Sequence, residues 1–239
     1  MSEPGTRVVR TPPALLPPYD AIVLTGGRAR RLGGAYKPGI LVGGRALAAR
    51  VVGAVREARR VVVVGPPVPG VAADVVTCES PAGGGPAAAL EAGVAYVTAP
   101  VVAALAGDLP FLTAAVVEDL RLALDGEPAA AAAMLVDDTG RDQPLCALWR
   151  TELLRDALAT VGDPGDGVEG AGVGRLAGGD GAVRVDGAVA VRRLGGVSLR
   201  DLLAAAEPLL RRTVVVGSGP PPWFDCDTEG DVARAREWT

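Results

Sequence analysis

The sequence predicts a three-layer α/β fold of Rossmann type, with a mostly parallel sheet covered by helices on both faces. Three observations carry this. Short runs that are apolar throughout (21–24, 61–64, 101–106) alternate with segments of helical spacing, as expected of parallel strands buried on both faces. Glycine-rich or Gly-Asp loops follow these runs directly, at the carboxyl ends of strands where open α/β sheets bind ligands. The chain has 239 residues, 49% of them hydrophobic, which suits one α/β domain with a substantial core. Only 3% are aromatic, so Val, Leu and Ala must fill that core.

In chain order, residues 1–18 carry Pro12-Pro13 and Pro17-Pro18 and read as a disordered lead. They lack the basic start and apolar centre of a signal peptide. Residues 19–239 read as a single domain. Residues 40–42 form a short strand with a turn at Gly43-Gly44. Residues 45–58 read as a helix with Leu47, Val51, Val52 and Val55 on one face. Strands at 61–64 and 74–78 precede a helix from 87 to about 97, which Pro86 opens at its first turn. A strand at 101–106 leads to a helix over 113–124 capped by Thr113. A strand at 129–136, a turn at Asp137 to Gly140, a returning strand at 145–149 and a helix at 151–161 follow. Residues 162–187 break the pattern with Gly and Asp, and read as a flexible insertion unable to bury enough apolar surface to order itself. A capped helix (198–210), a strand (213–216), a rigid turn (217–222) and a last helix complete the chain, with Asp227 or Thr228 at that helix's N-cap position.

Charge and composition exclude several classes of function. A net charge of −4 argues against general nucleic-acid binding, which would rest on a basic face. No apolar run reaches the roughly 18 residues needed to span a membrane. Histidine is absent, which removes Ser-His and Cys-His catalysis and histidine metal sites. Cys78, Cys146 and Cys226 lie far apart and are odd in number, so they read as three buried thiols in a reducing cytoplasm. Chemistry therefore falls to carboxylates, Arg, Lys and backbone. No oligomeric state follows from the sequence.

The most informative stretch is 21–37, AIVLTGGRARRLGGAYK. Leu24 ends the first strand, Thr25 follows it, and Gly26, Gly27, Gly33 and Gly34 bracket a loop. Arg28, Arg30, Arg31 and Lys37 bring cations with no acid among them. Glycine backbone lets a ligand approach closely and turns N–H groups inward, so the loop reads as one that wraps a polyphosphate. A solvated basic loop is the plain alternative. Lys37 is the only lysine among 24 basic residues, and its compact ammonium does what a planar guanidinium does not. The loop is not a Walker A motif, since Lys37 precedes Pro38, nor a GxGxxG fingerprint, whose glycines are spaced differently.

LTGGRARRLGGAYK resembles the LAGGxSxRMGxDK signature of MobA-like nucleotidyltransferases, which include molybdenum cofactor guanylyltransferase. The resemblance implies a three-layer α/β/α Rossmann-like nucleotidyltransferase fold. It implies that Lys37 contacts the nucleotide's phosphates and that Gly26, Gly27, Arg31 and Gly34 belong to the loop. Tyr36 departs from the pattern, which has an acid before the lysine. At 79–86, ESPAGGGP, Gly85 and Pro86 match a Gly-Pro that contacts the base in the family, with Glu79 near an acidic position; Ala88 and Ala89 replace later members, which leaves the base open. At 107–110, GDLP, Asp108 ends a strand and matches the family's metal-binding Asp-x-Pro. An aspartate there suits Mg²⁺, which takes one or two carboxylates plus phosphate oxygens; a turn or N-cap aspartate is the alternative. Gln143-Pro144-Leu145 matches a segment on the side of the second substrate. At 223–228, WFDCDT, Asp225 and Asp227 replace two asparagines, and Asp227 is a second candidate for Mg²⁺.

The implied activity is transfer of a nucleoside monophosphate, GMP from GTP or that of another NTP, onto a phosphorylated acceptor such as molybdopterin, with Mg²⁺ as cofactor. Catalysis would fall to Lys37, Arg31 and Asp108, and nucleotide binding to Leu24, Thr25, Gly26, Gly27, Arg28, Gly34, Lys37, Glu79, Gly85 and Pro86. A cytidylyltransferase, a transferase with a sugar phosphate or phospholactate acceptor, and a catalytically degenerate nucleotide-binding module remain as alternatives. The expected location is the cytoplasm, with no nucleic-acid or membrane partner.

Overall fold

A computed structural model describes residues 16–26, 36–162, 175–176, 194–207, 209–213 and 219–239. The elements are β1 (Tyr19–Leu24), β2 (Leu41–Val42), β3 (Arg45–Ala46), α1 (Leu47–Ala54), β4 (Val61–Val64), β5 (Val75–Thr77), α2 (Pro86–Val94), β6 (Val101–Ala106), α3 (Ala114–Asp125), β7 (Ala132–Val136), β8 (Asp142–Arg150), α4 (Thr151–Val161), β9 (Arg175–Leu176), α5 (Leu199–Ala206), β10 (Leu210–Thr213) and α6 (Glu229–Glu237). A 3-10 turn, Lys37–Gly39, precedes β2.

One eight-stranded sheet runs β10-β7-β8-β6-β1-β4-β5-β9, and β2 and β3 form a separate hairpin. Strands β6, β1, β4 and β5 are parallel neighbours, as are β10 and β7. Strand β8 is antiparallel to both β6 and β7. Side chains alternate across each strand and feed two cores. Ile22, Leu24, Val62, Val64, Val102 and Ala104 face α2, α4 and α5. Ala21, Val23, Val63, Ala103 and Leu105 face α1 and α3. The chain runs from β1 to β4 and β5 on one side, then returns to β6 on the other. The crevice between β1 and β6 is therefore a topological switch point, open at the strands' carboxyl ends.

Two packing details fix the centre of the sheet. Gly93 of α2 lies so close to β1 that a Cβ there would stand 2.7 Å from Ile22 Cγ2. At the other end of β1, buried Asp20 accepts from the Thr98 and Ala99 amides at 2.7 and 3.0 Å, tying the strand to the α2–β6 connection.

Most sequence expectations map onto these elements, with boundary shifts of physical origin. The helix expected over 45–58 is only Leu47–Ala54, because Gly43 and Gly44 adopt positive φ and turn Arg45 back against Val42. The helix expected over 198–210 ends at Ala206. Glu207 takes an extended ψ of 143° ahead of Pro208, which disfavours helix in the residue before it. The next strand accordingly starts at Leu210, earlier than the expected 213. Cys146 and Cys226 are buried as expected, but Cys78 is exposed, one residue beyond the short β5. Within the insertion, Arg175–Leu176 pairs antiparallel with β5, so this stretch is not structureless throughout. Its remainder past Gly162, and residues 1–15 of the lead, lie outside the described residues. Leu16 to Pro18 are described, and the Pro17 carbonyl accepts from Arg121 Nη2 at 3.1 Å. Among the described residues, no helix is long and apolar enough to cross a membrane.

The α2–β1 contact yields a stability prediction. Overpacking costs about 1–3 kcal/mol, against a helix-propensity gain of a few tenths when Val replaces Gly. Gly93→Val is expected to lower the urea midpoint by about 1–2 kcal/mol equivalent at unchanged slope. An unchanged midpoint would contradict the close approach.

Candidate active site

The candidate site occupies the switch point. Thr25 and Gly26 continue β1, and Gly107 and Asp108 continue β6. The two exits are laced together. The Gly107 amide donates to the Leu24 carbonyl at 2.9 Å, and a Cβ on Gly107 would lie 2.8 Å from that same oxygen. Only glycine fits there, and it places Asp108 beside the end of β1. The 3-10 turn then brings in Lys37. Its Nζ donates to Asp108 Oδ2 at 2.5 Å and to Asp227 Oδ1 at 2.5 Å. Lys37 and Asp108 are mostly buried, with side-chain exposures of 17% and 18%, while Asp227 is half exposed. Burial works against the Lys37 charge, but Asp108 and Asp227 together outweigh it and hold its pKa above lysine's ordinary value. Asp225 lies in the same field. Burial raises its pKa, the Asp227 and Asp108 charges raise it further, and Lys37 opposes them.

Asp227 stands 190 residues from Lys37 in sequence, so something must carry it there. The segment before α6 alternates. Phe224 and Cys226 join a cluster with Val42, Leu47, Val232 and Ala235, which leaves Asp225 and Asp227 free to turn to the site. The Phe111, Phe224 and Trp238 rings meet pairwise with centroids 5.1–5.9 Å apart in tilted or edge-on geometry, a preferred arrangement for aromatic pairs. Phe111 follows Asp108 by three residues, so this cluster docks the carboxyl-terminal segment onto the loop that carries Asp108. The helix behind it is capped by Thr228, in a capping box with Asp231. The N-cap is thus Thr228, and the Asp227 carboxylate is left for Lys37.

The second glycine-rich loop lies next to Gly26. Glu79 Oε1 accepts from the Gly83 amide at 3.1 Å, and a Cβ on Gly26 would lie 3.7 and 3.8 Å from the Glu79 carboxylate oxygens. Gly85 is the N-cap of α2 at φ +95°, a conformation that favours glycine, with Pro86 as first helical residue. The Gly84 carbonyl accepts from the Gly196 amide at 3.1 Å, so the turn after the insertion rests on this loop. Ala88 and Ala89 are buried in the core and do not line the crevice as free side chains. Gly27, Arg28, Arg30, Arg31, Gly33 and Gly34 lie outside the described residues.

Toward β8, Asp137 closes the expected turn. It accepts from the Thr139 hydroxyl and amide, the Arg141 amide and Gln143 Nε2. The Thr139 hydroxyl first, then the backbone amides, hold its carboxyl below the usual range. Arg212 is paired with Asp142 through two bonds and with Glu207 through one. The adjacent pair Arg192 and Arg193 lies outside the described residues.

Sequence reasoning missed two features. Tyr36 donates from its hydroxyl to the Pro66 carbonyl at 2.6 Å, and the mutual engagement of Lys37 with both acids has no local sequence signal. As a metal site, Asp108 and Asp227 offer hard oxygen donors that converge on one point, now held by an ammonium. That donor set fits Mg²⁺, which needs only one or two carboxylates when phosphates complete its shell. Among the described residues, no group of three or more His, Cys, Asp or Glu side chains is arranged to hold a metal by itself.

Comparison with known proteins bears on the family and the fold. The family model described as "MobA-like NTP transferase domain" matches residues 21–171. The chain is 34% identical over 160 residues to a molybdenum cofactor guanylyltransferase of Burkholderia orbicola, covering 61% of this chain and 77% of that protein. Its fold is similar to that of the molybdopterin-guanine dinucleotide biosynthesis protein A from Archaeoglobus fulgidus, with a TM-score of 0.61 at 19% identity over 91% of this chain and 97% of that one. It is also similar to 2-C-methyl-D-erythritol 4-phosphate cytidylyltransferase from Thermus thermophilus, with a TM-score of 0.55 at 18% identity over 90% and 96% of the two chains. With the family model matching more than half of its length, the chain belongs to the MobA-like NTP transferase domain family.

Proposed function

We propose that this protein is a molybdenum cofactor guanylyltransferase, which moves GMP from GTP onto the phosphate of a molybdopterin-type acceptor and releases pyrophosphate. The observation that carries the reading is the Lys37 ammonium, held on two carboxylates at the switch point beside the glycine-rich loop. The 34% identity to a molybdenum cofactor guanylyltransferase supports the choice of nucleotide and acceptor. The working location is the cytoplasm, where GTP is available and the thiols stay reduced.

In the reaction, an acceptor phosphate oxygen attacks the α-phosphorus of GTP in line. A new P–O bond forms, the bond to the β-phosphate oxygen breaks, and its electron pair leaves with pyrophosphate. The attacking phosphate is already ionised near neutral pH, so no strong general base is needed, in keeping with a chain that has no histidine. Two polyanions must be gathered against their repulsion, and charge placement and alignment do most of the work. Gly26 and the segment after it supply backbone donors, and Arg28 and Arg31 add cations to the β- and γ-phosphates. Lys37 exchanges its carboxylate partners for phosphate oxygens and stabilises the leaving pyrophosphate. Asp108 and Asp227, released from the ammonium, would hold Mg²⁺, which when bound neutralises charge on the phosphates. Glu79, Gly85 and Pro86 lie on the side of the base.

Two outcomes test this. Lys37→Ala and Asp108→Asn should each lower pyrophosphate release from GTP plus molybdopterin by about 100-fold or more, the scale of losing one group aimed at transition-state charge, while the folded protein survives. Near-normal turnover in either variant would refute its role. Because one ammonium and one metal ion share two carboxylates, nucleotide-free Lys37→Met should bind Mn²⁺ at least about tenfold more tightly than wild type, as removal of a cation beside two acids implies. Electron paramagnetic resonance of free Mn²⁺ reads this directly. Weaker binding in Lys37→Met than in wild type would contradict the shared site.

A further inference from the structure

The ends of the glycine-rich segment meet at one backbone oxygen. Thr25, where the segment leaves β1, donates from Oγ1 to the Pro66 carbonyl at 3.2 Å and also reaches the Val64 carbonyl at 3.4 Å. Tyr36, where the segment rejoins the described fold, donates from its hydroxyl to the same Pro66 carbonyl at 2.6 Å. A carbonyl oxygen has two lone pairs and can accept both. The acceptor is itself well fixed. Pro66 is followed by Pro67, so two ring-locked φ angles hold this stretch. Gly65 before it runs at φ +128°, and a Cβ there would stand 2.4 Å from the Gly26 nitrogen. The Tyr36 ring packs against a cluster of Ala46, Ala48 and Val68, which anchors the phenol from behind. Lys37 is the next residue.

We infer that Thr25 and Tyr36 are positioning residues for nucleotide transfer, acting as a paired hydroxyl clamp on the Pro66 carbonyl that sets where the phosphate-binding segment begins and ends and where Lys37 stands. The inference rests on the reading that this segment holds the nucleotide's β- and γ-phosphates. A donor is required at position 36: an ionised acid would be an acceptor only and would face the carbonyl with like polarity. Neither hydroxyl touches the reacting atoms in this role. Their effect is on the geometry of the triphosphate site, and not on the base.

The test is calorimetric affinity for GTP and for GMP, which lacks the β- and γ-phosphates, in wild type, Tyr36→Phe, Thr25→Val, Thr25→Ser and the double variant Thr25→Val/Tyr36→Phe, with Tm recorded for each. Tyr36→Phe and Thr25→Val should each weaken GTP roughly three- to tenfold, the range one neutral hydrogen bond supplies, and leave GMP unchanged. Thr25→Ser should restore GTP affinity. The double variant should lose less than the product of the single losses, because both hydroxyls serve one oxygen. Equal losses for GTP and GMP, or wild-type GTP affinity in Tyr36→Phe, would overturn the clamp while leaving the triphosphate reading intact. Failure of the wild type to bind GTP would overturn that reading, and the clamp with it.

Discussion

A single ammonium between two carboxylates ties the two ends of this chain together. Lys37 follows the first strand, Asp108 ends the central parallel strand β6, and Asp227 comes from the segment before the last helix. A lysine this far from water needs its counter-charges close, and two acids this close to each other need a cation between them. The local arrangement is stable only while all three are present. It therefore constrains the aromatic cluster, the 3-10 turn and the exit of β6 at once. On the proposed reading, substrate replaces this arrangement with another of similar charge balance. Phosphate oxygens for the lysine, and a divalent cation for the acids, would do so.

Much of the rest of the fold prepares that point. Close backbone approaches at Gly65, Gly93 and Gly107 draw β4, α2 and β6 against β1. The result brings the carboxyl ends of these strands together, where the Lys37 and Asp108 side chains are mostly buried. In such a setting charge is worth more than in water.

How far the sequence disclosed this depended on the range of each interaction. Continuous apolar runs located β1, β4 and β6, since burial on both faces leaves a local trace. Thr113 was legible as a cap because capping acts across three residues. Asp108 was legible because a strand end followed by Gly-Asp-x-Pro is also local. The strand and turn ending at Gly43-Gly44 were legible, but the returning strand Arg45–Ala46 was not, because the apolar positions of 47–55 alone suggest a longer helix. The exposure of Cys78 was not, because nothing in its neighbours fixes where β5 stops. The pairing of Lys37 with Asp227 and the Tyr36–Pro66 bond span 190 and 30 residues. Their partners are chosen by the packing of Phe111, Phe224 and Trp238 and by the course of the chain after β4, which only the assembled fold reveals.

The central claim is that this crevice holds a guanine nucleotide through its triphosphate, with Lys37 as the cation that answers it. Calorimetric titration of the purified protein with GTP, CTP, ATP and UTP in the presence of Mg²⁺ tests it most directly. The account predicts tightest binding of GTP, with that binding lost in Lys37→Ala. A preference for CTP would contradict the guanylyl assignment, and binding of none of the four would contradict the site itself.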